Sequence, residues 1–179
     1  MLVCLGIFYS IYRCQANGDF LFTVMLPVPK TDAVRSKYLF SCTIQLIAWV
    51  LAAVCTVIRI FTLDALPAYQ EPFLMPANLA YLAYTVLIYA AFNFLFLRAY
   101  FVGMYQTKAP FASFLVVSAL IVAAAEGLQR LGVLPFLRST LRQALLPQAA
   151  MLCAALAIYI LLTVSSYRSA VRAFLPRDI

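Results

Sequence analysis

Long stretches without a charged side chain divide this chain of 179 residues. The four longest are Tyr38–Ile58, Pro72–Leu97, Ala109–Ala125 and Gln143–Tyr167. A helix needs roughly 20 apolar residues to cross the hydrocarbon core of a bilayer, which is about 30 Å thick. Because these stretches are continuous and do not alternate, they are typical of membrane helices and not of barrel strands. The pattern therefore predicts four full spans, approximately at residues 38–60, 74–101, 109–128 and 146–167.

Two shorter apolar stretches predict further elements. The first, Met1–Tyr12, precedes Arg13 and predicts a partial span over residues 1–14. A signal peptide is disfavoured there because it carries its positive charge before the apolar run. The second, residues 135–146, spaces its apolar side chains as a helix does and places two arginines four positions apart. This pattern predicts a short amphipathic helix in the membrane interface.

The composition also indicates an all-α, polytopic membrane protein. Apolar residues make up 66% of the chain and charged residues 11%, whereas about 25% of a soluble domain is charged. The net charge of +7 is explained by basic residues beside anionic lipid headgroups, so no nucleic-acid partner is expected. We therefore expect one transmembrane domain over residues 1–179, with four full helices, a partial N-terminal helix and short interfacial helices.

The residues needed for most kinds of catalysis are missing. The chain has no histidine, which is the commonest general base and a common metal ligand. Its five cysteines form no C-x-x-C pair. Gly127 and Gly132 have the spacing of phosphate-loop glycines, but Val133 and Leu134 stand where lysine and serine or threonine are required. We therefore expect no enzyme activity and no catalytic, cofactor-binding or metal site, so that any ATP is bound by a partner.

The basic residues are unevenly divided between the two sides of the predicted spans. One side holds nine of them, and the other side holds four, namely Arg59, Arg130, Arg138 and Arg142. Cytoplasmic loops are enriched in lysine and arginine. The distribution therefore predicts that residues 15–37 and the C-terminus are cytoplasmic.

Two polar side chains fall within the predicted spans. Gln45 lies in the first full span, and Asn93 lies among aromatic residues near the end of the second. Polar groups at membrane depth are candidates for a transport pathway, but they also form hydrogen bonds between helices. An interhelical hydrogen bond is the favoured interpretation for both residues, and a substrate contact is the alternative.

The segment 15–37 carries a pattern of its own. The apolar residues from Phe20 to Met25 have helical spacing, which predicts a short helix along the inner membrane surface. Pro27 and Pro29 then end that helix, and Asp32 stands near the positive N-terminal end of the next one. The pattern fits either an ordinary interfacial loop or a docking surface for a cytoplasmic protein.

The string TVMLPVPKTDAVRSKY, Thr23–Tyr38, resembles the cytoplasmic loop of type-two ABC transporter permeases, the bacterial exporter class. Members carry a similar string, with hydrophobic-Leu-Pro-Val, a basic residue, Asp-x-Val and a second basic residue, just before a transmembrane helix. Asn78, the run Phe92–Phe96 and the ending Ser169–Ile179 are similar to later parts of the same family. The resemblance covers most of the chain, and its specific part is the loop.

This resemblance implies the permease subunit of an ATP-driven exporter in the inner (plasma) membrane. Its expected partners are a separate ABC ATPase subunit, the lipid bilayer and a second permease subunit, in a homodimer or a heterodimer. Asn78 joins Gln45 and Asn93 as a possible pathway residue or helix contact. The residues that the resemblance places at the ATPase are Asp19, Phe20, Leu26, Pro27, Lys30, Asp32, Arg35 and Lys37.

Permeases of this class usually have six spans, so we expect the chain to lack the first span and part of the second. This expectation leaves a non-transporting membrane scaffold or regulatory subunit open as the alternative function. The substrate is open as well, because apolar and aromatic side chains would suit lipids, peptides or hydrophobic drugs equally.

Overall fold

The structure, a computed structural model, describes residues 1–18, 29–62, 78–103, 106–131 and 144–175. These residues form helices and contain no strand, which confirms the all-α fold class. In chain order the helices are α1 (Leu2–Ala16), α2 (Lys30–Thr62), α3 (Leu79–Phe92), α4 (Arg98–Val102), α5 (Lys108–Arg130) and α6 (Leu145–Phe174). The interfacial helix predicted at 135–146 lies outside the described residues, except for its end, where α6 begins. The short helix predicted from Phe20 to Met25 also lies outside them.

Four helices are long and apolar enough to cross a membrane, as predicted. Three of them are α2, α5 and α6. The fourth is a continuous rod, Leu79–Val102, made of α3, a π-helical turn and α4. The N-terminal α1 is apolar but shorter, with 15 residues, or about 22 Å at a helical rise of about 1.5 Å per residue.

The rod lies at the centre of the bundle. In its most apolar stretch 56% of the residues are buried, against 17% in α2 and in α5 and 11% in α6. Its first part, α3, contacts α2, α5 and α6, and the contact with α6 is the most extensive. The three outer helices therefore direct most of their apolar surface outward. An apolar surface of that extent requires lipid around it rather than water.

Both α2 and α5 run antiparallel to the rod, whereas α6 runs parallel to it, and this arrangement brings most of the described basic residues to one end of the bundle. Tyr38 of α2 bonds to Ser166 of α6, and Gln45 bonds to Tyr159, so the start of α2 lies beside the end of α6. We call this the basic end. Its described lysines and arginines are Arg13, Lys30, Arg35, Lys37, Arg98, Lys108, Arg168 and Arg172. The arginines near the far ends of α2 and α5 lie at the opposite end.

Aromatic rings fill the interior near the basic end. Phe8 of α1 stacks on Phe111 of α5 with the ring centroids 3.9 Å apart, and Phe96 of the rod lies 5.6 and 6.0 Å from these two rings. Phe101 and Phe174 meet edge to face at 5.9 Å. Lipid is as apolar as these rings, so the cluster holds the helices together by close contact and ring geometry rather than by the removal of apolar surface from water.

Replacement of one of these rings should destabilise the bundle. Phe96 is fully buried, so Phe96→Ala should leave a cavity between α1, the rod and α5 and lower the free energy of unfolding by about 3 kcal/mol. Denaturation in mixed detergent micelles, followed by circular dichroism, measures the change. The control is Leu51→Ala on the outer face of α2, where the side chain is 61% exposed, and the expected change is below about 0.5 kcal/mol. Equal effects of the two substitutions would contradict a packed aromatic core.

Candidate functional site

A pair of amide side chains joins α2 to the rod inside the bundle. The Gln45 nitrogen Nε2 donates to the Asn93 oxygen Oδ1 over 2.9 Å, and Asn93 Nδ2 donates back to Gln45 Oε1 over 3.1 Å. Both side chains are buried. Gln45 lies eight residues after Lys37 and 14 residues before Arg59, so the pair lies within the apolar part of α2, nearer to its basic end. Two of the residues predicted from the sequence are therefore hydrogen-bonded to each other in the structure.

Two residues of α6 complete the hydrogen bonds of the amide pair. Asn93 Nδ2 also donates to Thr163 Oγ1 over 3.1 Å, and the Tyr159 hydroxyl donates to Gln45 Oε1 over 3.0 Å. A buried amide without such partners would raise the free energy of the folded state. The pair and its partners consequently tie together three elements, namely α2, the rod and α6.

The rod departs from α-helical geometry at Asn93. Residues Asn93–Leu97 form a π-helical turn, in which the Arg98 N–H donates to the Asn93 carbonyl five residues back. That carbonyl also accepts a hydrogen bond of 2.6 Å from Ser166 Oγ. Because Ser166 has only one hydroxyl proton, the Tyr38 hydroxyl must be the donor in its 2.6 Å contact with Ser166 Oγ. A backbone acceptor at a π-helical turn is thus satisfied in part by one side chain of α6.

Helical spacing brings these side chains to one seam between α2 and α6. On α2 the residues Tyr38 and Gln45 are seven positions apart, which is about two turns. The three α6 residues follow at intervals of four and three positions, so they share one face. We call the whole set the polar network: Tyr38, Gln45, Asn93, Tyr159, Thr163 and Ser166. Only its two amides were predicted from the sequence, and the spacing of hydroxyl residues along α6 is the signal that could have indicated the others.

One further hydroxyl lies next to the polar network. Ser41 stands between Tyr38 and Gln45 along the same face of α2, and its side chain is fully buried. Its Oγ has no hydrogen-bond partner among the described residues. An unsatisfied buried hydroxyl raises the free energy by about 1–3 kcal/mol. The Ser41 hydroxyl is therefore available to a new partner if α2 moves against its neighbours.

Arg98 extends the contact between the rod and α6 towards the basic end. Its Nε donates to Ser169 Oγ over 3.0 Å, and its guanidinium carbon lies 5.0 Å from the ring centroid of Phe94. This cation–π geometry is favourable for arginine over a partly desolvated ring. A positive charge is thereby held directly after the π-helical turn.

Asn78, the third candidate from the sequence, lies away from the polar network. It is the N-cap of α3, where its side-chain oxygen accepts a hydrogen bond of 3.0 Å from the Tyr81 N–H. Asparagine is among the preferred N-cap residues because its side chain satisfies an N–H that has no partner within the helix. The cap stands at the end of the bundle opposite the basic end.

Half of the candidate docking residues are described. Lys30, Asp32, Arg35 and Lys37 occupy the first turns of α2, at the basic end. The other four lie outside the described residues: Asp19, Phe20, Leu26 and Pro27. The segment 15–37 therefore ends as part of a helix that continues without interruption into the first span.

The described groups are suited to hydrogen-bond exchange and to movement of helices. The polar network consists of amides and hydroxyls, which can change partners without gaining or losing charge. Within the described ranges, no three Cys, Asp or Glu side chains lie close enough to hold a metal ion. The arrangement can therefore hold two helices against the rod in one register, and it can release them when the hydrogen bonds change.

A comparison with protein families gives one further finding. A family model described as "ABC-2 family transporter protein" matches residues 1–174. No curated protein and no solved structure matches the chain. The match begins before α1 and ends at the last residue of α6, so it includes every helix described above.

The amide pair should be energetically coupled. A double-mutant cycle of Gln45→Leu and Asn93→Leu should give a coupling free energy of about 1–2 kcal/mol, because the two side chains exchange two hydrogen bonds. The four unfolding free energies in detergent supply the cycle. For the control, Gln45→Leu is combined with Thr85→Val, since the only partner of the Thr85 hydroxyl among the described residues is a carbonyl of its own helix. These two changes should add to within about 0.5 kcal/mol. A Gln45–Asn93 coupling near zero would contradict the assignment.

Loss of the cap on α3 should also be measurable. Asn78→Ala removes the acceptor for the Tyr81 N–H and should lower the free energy of unfolding by about 1 kcal/mol. Asn78→Ser is the matched control, because serine caps a helix equally well and should retain most of the stability. Thermal unfolding in detergent compares the two variants. Equal losses in both would indicate that Asn78 matters for a contact other than the cap.

Proposed function

Because this chain belongs to the ABC-2 family of transporter proteins, we propose that it is the permease subunit of an ATP-driven exporter. Membership of the family confirms the resemblance found in the sequence, and it makes the chain a membrane component of an ABC transporter. The observation that carries the proposal is the extent of the match over residues 1–174. Export as the direction of transport is supported by the likeness of the loop before α2 to the exporter class.

The energy for transport would come from a separate ATPase subunit at the basic end. Val133 and Leu134 replace the residues that a phosphate loop requires, so that subunit would bind and hydrolyse the ATP. Lys30, Arg35 and Lys37 begin α2 at the basic end. Positive side chains there are suited to contact with acidic groups of a soluble partner.

The continuity of α2 offers a route from the ATPase to the interior. Tyr38 and Gln45 lie eight and 15 residues beyond Lys30 on one unbroken helix, or about 12 and 22 Å. A displacement of the start of α2 would therefore act on its hydrogen bonds to α6 and to the rod. We expect the closure of paired ATPases to shift α2 in this way, and the Ser41 hydroxyl supplies a partner for the shifted arrangement.

The basic end would face the cytoplasm. Eight of the ten described lysines and arginines lie at that end, and cytoplasmic flanks of membrane spans are enriched in these residues. The end of α6 lies there as well, so the C-terminus would be cytoplasmic. The inner (plasma) membrane is the location that suits an ATPase partner supplied with cytoplasmic ATP.

A second permease subunit would complete the transporter. The outer faces of α2, α5 and α6 are apolar over most of their length, and a second copy or a related subunit could cover part of this surface. Substrate would then pass between or beside the two subunits. The polar network lies inside one subunit and would hold its helices together while the subunits move.

A pull-down from detergent-solubilised membranes tests the proposal. The tagged chain should retain an ATPase with a phosphate loop in near-stoichiometric amount, identified by mass spectrometry. The double variant Arg35→Glu, Lys37→Glu should reduce the retained ATPase by at least about tenfold, since two charge-assisted contacts become repulsive. Circular dichroism should show an unchanged helix content.

The matched control reverses the same number of charges at the opposite end of the bundle. Arg59→Glu with Arg130→Glu should leave the retained ATPase unchanged. Equal retention by both double variants would contradict docking through the start of α2. The absence of any ATPase, from membranes in which the chain is folded, would favour the non-transporting scaffold instead.

A further inference from the structure

A cleft follows the seam between α2 and α6 from the basic end inward. Its outer part has a volume of about 420 Å³ and is lined by these two helices alone among the described elements. Arg35 stands at the outer end, and Tyr38 and Tyr167 form its walls. Cys42 and Thr163 stand at its inner end.

A second cavity of about 150 Å³ follows along the same seam. Gln45 and Tyr159 line the end of this cavity that lies next to the outer part of the cleft, and Trp49 and Leu156 line its other end. Val86 of the rod also lines it. The two cavities therefore succeed one another between the same two helices, with the rod beneath the inner one.

The length of the cleft matches the depth of one lipid leaflet. Arg35, Cys42 and Trp49 are spaced by seven residues along α2, so the cleft extends over 14 residues, or about 21 Å. A bilayer is roughly 40–45 Å thick when the headgroup regions are included, so one leaflet measures about 21 Å. A molecule whose head lies at Arg35 would reach the middle of the membrane at Trp49.

The cleft is open to the side and its inner walls are made of carbon atoms. Leu39 and Leu46 on α2 and Val164 on α6 line it, and all three are exposed on the outer surface of the bundle. The Tyr159 hydroxyl donates to Gln45 Oε1, and Gln45 Nε2 donates to Asn93, so the polar atoms of both side chains already have partners. A hydrocarbon chain could thus enter from the bilayer without displacing any hydrogen bond of the polar network.

The outer end of the cleft is suited to an anion. Arg35 is exposed, and within the described parts of the chain its guanidinium has no ion-pair or hydrogen-bond partner. A guanidinium binds phosphate through two parallel hydrogen bonds. A neighbouring groove on α6 shares Val164 with the cleft and carries Arg168 and Arg172, which add positive charge on this side of the basic end.

We propose that this cleft binds one anionic phospholipid of the surrounding bilayer, with the phosphate at Arg35 and one acyl chain extending to Trp49. The second acyl chain remains in the bilayer, which the open side of the cleft permits. The cleft combines a cationic end with an apolar length of one leaflet, and a lipid has both features in the same order. Lipid binding at this place needs only α2, α6 and the rod, and it does not depend on the proposed transport.

Trp49 provides the measurement, because it is the only tryptophan of the chain. The purified chain, without an ATPase, is reconstituted in vesicles of unlabelled phosphatidylcholine. Small fractions of phosphatidylglycerol or phosphatidylcholine, dibrominated midway along one acyl chain, are then added, and bromine quenches the Trp49 fluorescence on contact. Brominated phosphatidylglycerol should bind with a constant about fivefold above that of brominated phosphatidylcholine, as expected for one basic residue acting on an anionic headgroup.

Single-charge variants separate the cleft from the general charge of the basic end. Arg35→Gln should abolish the preference for the anionic lipid. The matched control, Lys37→Gln, removes one charge from the same part of α2 without altering a residue that lines the cleft, and it should retain the preference. Because both residues also belong to the proposed docking surface, a loss of the lipid preference in Arg35→Gln alone distinguishes this site from a contact with an ATPase.

A second pair of variants tests the path of the acyl chain. Val86→Phe fills the inner cavity and should reduce quenching by brominated phosphatidylglycerol to the level of phosphatidylcholine. Val116→Phe adds the same ring on the outer face of α5, where the side chain is exposed, and should have no effect. If Val86→Phe fails to fold, the charge variants still decide the question.

Three results would overturn the proposal. The first is equal quenching of Trp49 fluorescence by the two brominated lipids in the wild-type chain. The second is an undiminished preference in Arg35→Gln. The third is a Trp49 shielded from both lipids, together with crosslinks between two copies of the Leu46→Cys variant. That result would make the seam a contact between subunits.

Discussion

A lipid bilayer offers no hydrogen bonds, so the polar groups inside this bundle depend on partners within the protein. Asn93 is the residue in which that constraint is concentrated. Its side chain bonds Gln45 and Thr163, and its carbonyl accepts a hydrogen bond from Ser166. One residue of the rod thereby holds both α2 and α6. The π-helical turn that begins at Asn93 belongs to the same arrangement, since its carbonyl serves the Arg98 N–H and a side chain of α6 at once.

The apolar contacts have a different physical basis from those of a soluble core. The outer faces of α2, α5 and α6 are as apolar as the surrounding lipid. The transfer of apolar side chains from lipid to a helix interface therefore does not by itself drive the helices to associate. The aromatic cluster around Phe96 supplies shape and ring geometry, and the polar network supplies directed hydrogen bonds. The first lies towards the basic end and the second next to it along the rod. Together they determine which face of each helix meets the rod.

The two proposals place different partners on one helix. The first turns of α2 would contact a soluble ATPase, and the side of α2 that faces α6 would contact a lipid. Arg35 is common to both surfaces, whereas Lys37 belongs only to the first. Either partner would affect the contact between α2 and α6, because Tyr38 and Gln45 of α2 bond to α6 through the polar network. Movement of α2 against α6 would then change the hydrogen bonds and the shape of the lipid cleft together.

Hydropathy and charge are properties of neighbouring residues, and for that reason the sequence alone determined the all-α class, the four spans, the shorter N-terminal helix and the family. It also marked Gln45 and Asn93 as polar residues inside apolar stretches. It did not indicate that they bond one another across 48 positions, or that Tyr38 meets Ser166 across 128. The cap at Asn78 is local, since its partner is only three residues away, but the span predicted from residue 74 missed it. No local pattern predicted the π-helical turn or the contacts between helices. Those features depend on which faces of the helices pack together, and this packing is determined by shape and hydrogen bonding between segments that are remote in the chain.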